Sequence, residues 1–496
     1  MPLTGADSNG LSMGNLESPM SPGGIVLTTL NARFRHPSLG LRCLKANLDE
    51  WSDRCTILEF TIHDRPMDIA ETVLRFQPAI IGIGVYLWNV EPVRHLLALM
   101  KILAPEIILI LGGPEMVAVP EDDRWFDVAD VIISGEGEGV FRDVCREWYA
   151  TPGIRPAKKR ITAPPVDFTR VKLPYALYDS SDLEHRFTYV EASRGCPHGC
   201  SFCLSARDAP IRRVPLAHFF SAMEDLLTRG ARQFKFVDRT FNVHTRTAIA
   251  ILDFFLERYI PGLFLHFEMV PDHLPPALKE TLIRFPPGSL QLEIGFQTFD
   301  GDTLKRIHRS QNNDAAAKNL AWLKNNTRVH LHTDLIFGLP GESLVSMEAG
   351  FNRLFALHPH DIQVGILKRL PGTQLARQDP GIHNMRYNPH PPYDILANDH
   401  IDFATMQRLR RFGRYWDLIG NSQRFPTFLA WMHDQPSPFA VFLTLSDYIF
   451  ATTRQTHQIA LARLITVITR GLIQALKLEP AQARALMSND WPDYGS

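Results

Sequence analysis

The chain has 496 residues, 45% hydrophobic and 21% charged, with a formal net charge of −1 and a pI near 7.0. That length gives room for two or three domains with sizeable cores, and the near-neutral balance offers no global field for nucleic acid or an anionic membrane. No apolar run approaches the roughly 18 residues of a membrane span, and six cysteines are too few for a disulfide framework in a chain this long.

Residues 1–23 are rich in Ser, Gly, Pro and Met and lack a signal peptide's basic start and apolar core, so they read as a disordered lead-in. From Ile25 apolar runs and helical patterns alternate. Strands are expected at Ile25–Leu30, Thr56–Thr61, Ile80–Val85, Ile107–Leu111 and Val131–Ser134, with helical stretches between them. Five strands with helical crossovers predict a flavodoxin-like, doubly wound parallel sheet over residues 24–150, binding ligands beyond the strands' C-terminal ends. Those ends carry Tyr86-Leu87-Trp88-Asn89, Gly112-Gly113-Pro114-Glu115 and Gly135-Glu136-Gly137-Glu138. Glycines there let backbone approach a flat ligand, although one isolated loop of this kind is an ordinary turn.

Residues 151–186 read as a linker, with five prolines between Thr151 and Tyr178 and a basic patch, Lys158-Lys159-Arg160, taken as a solvated face. The strand–helix rhythm resumes at Phe187. Further strands are expected at Gln233–Val237, Leu263–Met269, Ser289–Gly295, Val329–Phe337 and Ile362–Leu367. Six strands with crossovers predict an α/β fold of partial (β/α)6 barrel type over residues 187–373, with polar residues for chemistry at the strands' C-terminal ends. From residue 374 to 496 amphipathic stretches at Ile401–Leu418, Phe442–Thr453 and Thr456–Leu476 predict a helical extension, expected over the open barrel end.

After the first barrel strand comes Glu191–Ser205, EASRGCPHGCSFCLS, with Cys196, Cys200 and Cys203 in C-x3-C-x2-C spacing. Three thiolates on one loop can hold three irons of a [4Fe–4S] cubane and leave the fourth open. A structural zinc site is the alternative, but zinc usually takes four protein ligands, and His198 inside the loop has poor reach. A cluster of this kind requires a reducing compartment, which points to the cytoplasm.

CPHGCSFC resembles the radical S-adenosylmethionine (SAM) signature, and the chain is similar to radical SAM enzymes that carry a preceding cobalamin-binding domain. The resemblance implies a [4Fe–4S] cluster on the three cysteines, SAM on its open iron, and reductive cleavage to a 5′-deoxyadenosyl radical. It places Phe202, Asp238, Arg239, Glu268 and Gln297 around SAM. The segments VYLWN, LGGPE and SGEGE resemble the cobalamin domain, and imply contacts from Tyr86, Trp88, Gly112, Gly113, Gly135, Glu136, Gly137 and Glu138. Asn31 and His36 join them from the loop after the first strand. The Asp-x-His-x-x-Gly motif for a lower cobalt ligand is missing, and His36 is either such a ligand or a loop histidine bonded to backbone. The C-terminal stretch resembles a helical domain of unknown function. By this resemblance the reaction is methylation of an unactivated carbon of a small molecule, with a reductant such as flavodoxin or ferredoxin. Ring formation or rearrangement on the same cofactors, an RNA methylthiotransferase, and a non-enzymatic cobalamin sensor are the alternatives. Neither a membrane nor a nucleic acid is expected as partner.

Overall fold

The computed structural model describes residues 23–119, 125–156, 159–207 and 210–491. Most of the expected lead-in, and Lys158 of the basic patch, lie outside them.

The first sheet is parallel, in the order β2-β1-β3-β4-β5-β6. Its strands are β1 (Ile25–Asn31), β2 (Cys55–Thr61), β3 (Ile80–Gly84), β4 (Ile108–Gly112), β5 (Val131–Gly135) and β6 (Arg160–Ala163). All seven residues of β1 are buried, as a central strand covered on both faces requires. The first five strands follow flavodoxin order. β6 was not expected: the proline-rich segment read as a bare crossing pairs along β5, Ile133 opposite Ile161. Arg160 of the basic patch therefore opens a strand, where the run of charge had suggested a solvated face.

The second sheet contains β7 (Thr188–Val190), β8 (Gln233–Phe236), β9 (Phe264–Met269), β10 (Leu290–Gln297), β11 (His330–Phe337) and β12 (Asp361–Ile366), all parallel and in sequential order from β7. Phe234, Phe236, Leu265, Phe267, Leu292, Ile294, Leu331 and Leu335 face the covering helices and are buried. The alternate positions are polar and face the concave side. This inverts the usual barrel, whose interior is packed with branched apolar side chains.

The C-terminal helices continue that core. Helix Phe403–Ile419 lies on the outer face of β12, where Gly413 makes the approach possible: a Cβ there would stand 2.9 Å from the Val364 carbonyl oxygen. Asn421 then mimics a neighbouring strand, its Oδ1 accepting from Ile362 N–H and its Nδ2 donating to Ile362 O, both at 3.0 Å. The edge of β12 is thereby partly covered. These helices do not lie over the open barrel end, because their apolar faces match the outer face of β12 and not its polar inner face. Two more helices, Pro426–His433 and Pro480–Asp490, join those that periodicity indicated. A short hairpin, Arg386–Tyr387 with Ile395–Ala397, leads instead to the first domain, where the Tyr393 hydroxyl donates to Glu115 Oε2 at 3.2 Å. Among the described residues no helix is long and apolar enough to cross a membrane.

Candidate active site at the boundary of the two sheets

The chain leaves β7 through Glu191 and Ala192, and Ser193–Arg194 pairs antiparallel with Arg212–Arg213 to close the base of the cysteine loop. Gly195, with φ +106°, makes the turn that brings Cys196 inward. Two backbone bonds pin the loop from opposite sides: Ser201 N–H to Ile307 O at 2.8 Å, and Leu375 N–H to Ser201 O at 2.7 Å. Cys196 and Cys200 are buried and Cys203 half-buried, and all three line a cavity of about 170 Å³ with Phe202 and His198. Burial pushes the Cys196 and Cys200 thiols up, and at Cys200 the Arg309 guanidinium, 3.6 Å from Sγ, opposes it.

Among the described residues no three His, Cys, Asp or Glu side chains converge closely enough to chelate one metal ion. A tetrahedral zinc site needs that convergence. A cubane takes one thiolate per iron, so its ligands stand around a space and not at a point. The cysteines fit the second demand. The imidazole of His198 lines the same cavity with its buried Nε2 lacking a hydrogen-bond partner.

The strand ends supply the opposite wall. Arg239 Nη1 bonds both carboxylate oxygens of Glu268, at 2.9 and 3.2 Å. The register of β10 slips between Gly295 and Gln297, and this bulge, with Gln297 at φ +67°, places Gln297 in the cavity wall. A Cβ on Gly295 would meet Gln297 Nε2 at 2.4 Å, so a larger residue there would displace the glutamine side chain from its place in the wall. Asp238 stands apart from the residues it was grouped with. It is 2% exposed, does not line the cavity, and accepts from Ser193 Oγ at 2.5 Å and Ala192 N–H at 3.0 Å. Burial pushes its carboxyl up to about 7. Its observed work is to fix the root of the cysteine loop.

Deeper in the concavity burial alone would raise the Glu293 carboxyl, but the basic groups around it, His266 first with Nε2 3.0 Å from Oε2, outweigh burial and hold it down to about 2. Asp334 and Asp361 likewise outweigh burial at His332 and hold its imidazolium up to about 10.

A second cavity, of about 250 Å³, lies along the C-terminal edge of the first sheet. Tyr86, Gly112, Gly113, Gly135, Glu136, Gly137 and Glu138 line it, and Glu191 and Arg194 close it from the barrel side. The glycines have different reasons to be there. A Cβ on Gly113 would stand 2.5 Å from Val85 O, and one on Gly135 2.7 Å from Ala163 O, both at φ +104°. These two are demanded by backbone packing within the domain. Gly112 is the one that keeps the cavity open, since its Cβ would meet only Ile133 O, at 3.8 Å.

The carboxylates of Glu136 and Glu138 are engaged, as is that of Glu191, which pairs with Arg194 at 2.5 Å. Glu138 accepts from Arg194 Nη1 at 2.9 Å, while Glu136 is bonded by Arg212 and by Val166 N–H and faces Arg194 at 3.2 Å. They clamp the sheet edge to the cysteine-loop root, so their contribution to the cavity is its wall and not a free carboxylate.

Three residues expected in this cavity are elsewhere. Asn31 Nδ2 donates to Glu59 at 3.0 Å. The Trp88 indole N–H donates to Leu30 O at 3.0 Å, and its ring stacks on Tyr86 at 4.7 Å. His36 packs against Phe187 and bonds the Tyr189 hydroxyl through Nδ1 at 2.7 Å. Burial, then Lys235 and the arginines around it, lower the His36 pKa. Among the described residues no histidine lines the cavity, so the glycine-floored slot could receive part of a corrinoid but offers it no imidazole. A slot of this size takes part of such a ligand and not the whole macrocycle.

Arg194 and Arg309 were not singled out in the sequence. Arg194 stands two residues before Cys196, where a charge beside a glycine gives no hint of its carboxylate partners. Arg309 comes from a loop between two helices, and only the barrel's closure brings it to Cys200.

We expect Gly112→Leu to reduce cobalamin retention several-fold, read by the corrinoid absorption of the gel-filtered protein, with cluster iron content unchanged. Gly113→Leu should instead lower the urea midpoint, by strain at positive φ. Equal cobalamin retention in Gly112→Leu and wild type would remove the slot from the binding site.

Family models match in chain order. A B12 binding domain covers residues 25–145, a radical SAM superfamily domain 190–353, and a protein family of unknown function, DUF4080, 381–491. Among curated proteins, the chain is 25% identical over 328 residues to a 2-(S-pantetheinyl)-carbapenam-3-carboxylate methyltransferase of Streptantibioticus cattleyicolor, covering 59% of this chain and 48% of that protein. The chain thus spans about half the length of such relatives. Among solved structures, OxsB, a cobalamin-dependent SAM radical enzyme with aqua-cobalamin and SAM bound, superposes with a TM-score of 0.64 at 14% identity over 96% of this chain and 84% of its own. TsrM of Kitasatospora setae, a radical SAM methyltransferase with cobalamin and a [4Fe–4S] cluster bound, gives 0.59 at 15% identity over 75% and 78%. At these identities the likeness is one of fold.

Proposed function

We propose that this chain, a radical SAM protein with a B12-binding domain and a DUF4080 region, is a cobalamin-dependent methyltransferase acting on an unactivated carbon of a small molecule. The observation that carries the proposal is that one short segment, Glu191 to Cys196, contributes to both cavities. Glu191 and Arg194 line the glycine-edge cavity, and Cys196, two residues on, lines the other. A reacting carbon held between them would be near both cofactor sites, the proximity a two-cofactor transfer needs.

When bound, the cluster and SAM supply a hydrogen-abstracting radical, and cobalamin supplies the methyl group. The chain's own residues do the rest. Cys196, Cys200 and Cys203 would hold the cluster, with Arg309 as the neighbouring positive charge. Arg239, Glu268 and Gln297 would orient SAM. Phe202 narrows the cavity against water, and Asp238 fixes the loop that carries the thiolates. Tyr86, Gly112 and Gly137 would receive cobalamin, with Arg194 holding the two binding edges in register. A one-electron donor such as flavodoxin or ferredoxin would deliver the reducing equivalent.

Ring formation or rearrangement stays as a second reading, because the solved structure that spans nearly the whole chain is described as a radical enzyme and not as a methyltransferase. Comparative metabolite profiling of a deletion strain separates them. Loss of a species one methyl group heavier than its partner supports methylation. A pair differing by two hydrogens, with no methyl gain, overturns it. Under-modified RNA in that strain would favour a methylthiotransferase. Against that class, Cys43, Cys55 and Cys145 are far apart in the sequence and buried, with burial raising each thiol, and form no second cysteine loop.

A further inference from the structure

The charged side chains around the cysteine cavity have partners within the protein. Arg239 bonds Glu268, Glu293 pairs with His266, and Arg309 donates to Gly295 O at 2.5 Å and to Gln311 Oε1 at 2.8 Å. Among the described residues, two that line this cavity keep a buried polar atom without a hydrogen bond: Asp334 through Oδ1 and His198 through Nε2. Asp334 Oδ1 still has the His332 imidazolium 3.5 Å away. His198 Nε2 is shut off from solvent and has no such counterpart. A buried polar atom left unpaired costs stability, so its presence at a functional cavity calls for a physical reason.

The place of His198 in the loop indicates what that nitrogen faces. It stands midway between Cys196 and Cys200, flanked by Pro197 and Gly199, with its backbone N–H directed to the Cys196 sulfur. The loop is pinned at Ser201 by Ile307 O and Leu375 N–H, and its root is held by Asp238. A fixed backbone therefore delivers the imidazole to the cavity. What the cysteines present to that cavity is sulfur, as thiolates and, in a bound cubane, as bridging sulfides too. These sulfurs accept hydrogen bonds and donate none. An imidazole nitrogen that bonds them must carry a proton, so the matching form of His198 has its hydrogen on Nε2.

We propose that His198 Nε2–H donates a hydrogen bond to a sulfur of the bound cluster and so raises its reduction potential. Reduction adds negative charge that spreads onto the sulfurs, and a donor aimed at them stabilises the reduced form more than the oxidised one. This rests on the cluster reading above and goes beyond it. It names a residue outside the three thiolates that sets how readily an electron enters. With the cavity empty the same nitrogen is unsatisfied, so it adds nothing to the stability of the cluster-free fold.

The test compares the full chain, reconstituted anaerobically and free of SAM, with His198→Phe and His198→Gln. Phenylalanine keeps a ring of similar size without a donor, and glutamine brings an amide N–H near the place of Nε2. In redox titrations followed by EPR, His198→Phe should be about tenfold harder to reduce, a shift of about 59 mV to lower potential for one electron. His198→Gln should recover most of that shift. Iron content, and the urea midpoint of the cluster-free protein, should be unchanged in both. With histidine rings labelled with ¹⁵N, electron–nuclear double resonance of the reduced wild type should show a ¹⁵N coupling that His198→Phe lacks. Equal potentials for wild type and His198→Phe at equal iron content overturn the proposal, as does a shift that glutamine leaves in place. Weakened SAM binding in His198→Phe with the potential unchanged also overturns it, and gives the donor to the SAM carboxylate instead. Where His198→Phe takes up less iron, the ¹⁵N coupling in wild type decides, its absence counting against the proposal. A wild type that takes up no cluster at all removes the cysteine reading itself, which the other failures leave standing.

Discussion

A variant with alanine at Cys196, Cys200 and Cys203 is expected to emerge from anaerobic reconstitution with almost no iron, where the wild type takes up about four atoms per chain. The charge-transfer absorption and the reductive cleavage of SAM should vanish with it. The size of the effect follows from the site. Among the described residues no other side chains gather to hold a metal, and Cys43, Cys55 and Cys145 are buried and form no three-ligand group. The loop's fold does not depend on the thiols: its pins are the backbone bonds at Ser201 and the Asp238 carboxylate at Ala192 and Ser193. The urea midpoint of the cluster-free protein should therefore match that of the unreconstituted wild type within error. Full iron content in the triple variant would refute the cysteine assignment, and tight stoichiometric zinc in the wild type would favour the structural alternative.

Much of the fold was readable because each signal was local. Apolar runs such as Ile80–Gly84 and Ile108–Gly112 are buried parallel strands, and helical periodicity located most of what lies between them. The strand Arg160–Ala163 was hidden because its sequence, RITA, is short and lies among prolines; it is a strand only because β5 presents an edge for it to pair with. The cysteine loop was legible for the same reason as the helices, since spacing within one loop survives folding unchanged. Residues whose role depends on what lies opposite were not. Asp238 follows a strand, as a ligand-binding residue would, yet turns back to the loop root. His36 follows β1 on the expected edge but meets Tyr189 of the barrel. Glycine content marked the right sheet edge without separating Gly112, which opens a cavity, from Gly113, which the backbone itself requires.

Arg42→Met is expected to be the most damaging change outside the two cavities. Arg42 is buried on helix Leu39–Ala46, where Nη1 donates to Ser38 O at 3.0 Å and Glu59 Oε2 at 2.9 Å, and Nη2 donates to Asp182 Oδ2 at 2.6 Å. Arg186 completes the group, bonding Glu59 at 2.8 Å and Asp182 at 2.9 Å. Two arginines thus neutralise two carboxylates where the first domain meets the segment leading into β7. Methionine preserves much of the volume and leaves Arg186 alone between two buried anions, a loss of about 3–5 kcal/mol by analogy with broken buried pairs. Lysine should rescue little, because one ammonium cannot reach both carboxylates in the plane of a guanidinium. The network also has a pH signature. Burial alone would raise the Glu59 carboxyl, but Arg42 and Arg186 outweigh it and hold the folded-state pKa below the ordinary 4.5. A depressed carboxylate contributes stability that is complete above its unfolded value and is lost as pH falls through the folded one. Wild type should accordingly lose urea resistance as pH drops below about 4.5, and Arg42→Met, in which much of that depression is gone, should show a flatter dependence from a lower start. Equal urea midpoints for Arg42→Met and wild type at neutral pH would show that the network contributes nothing to holding the first domain against the barrel.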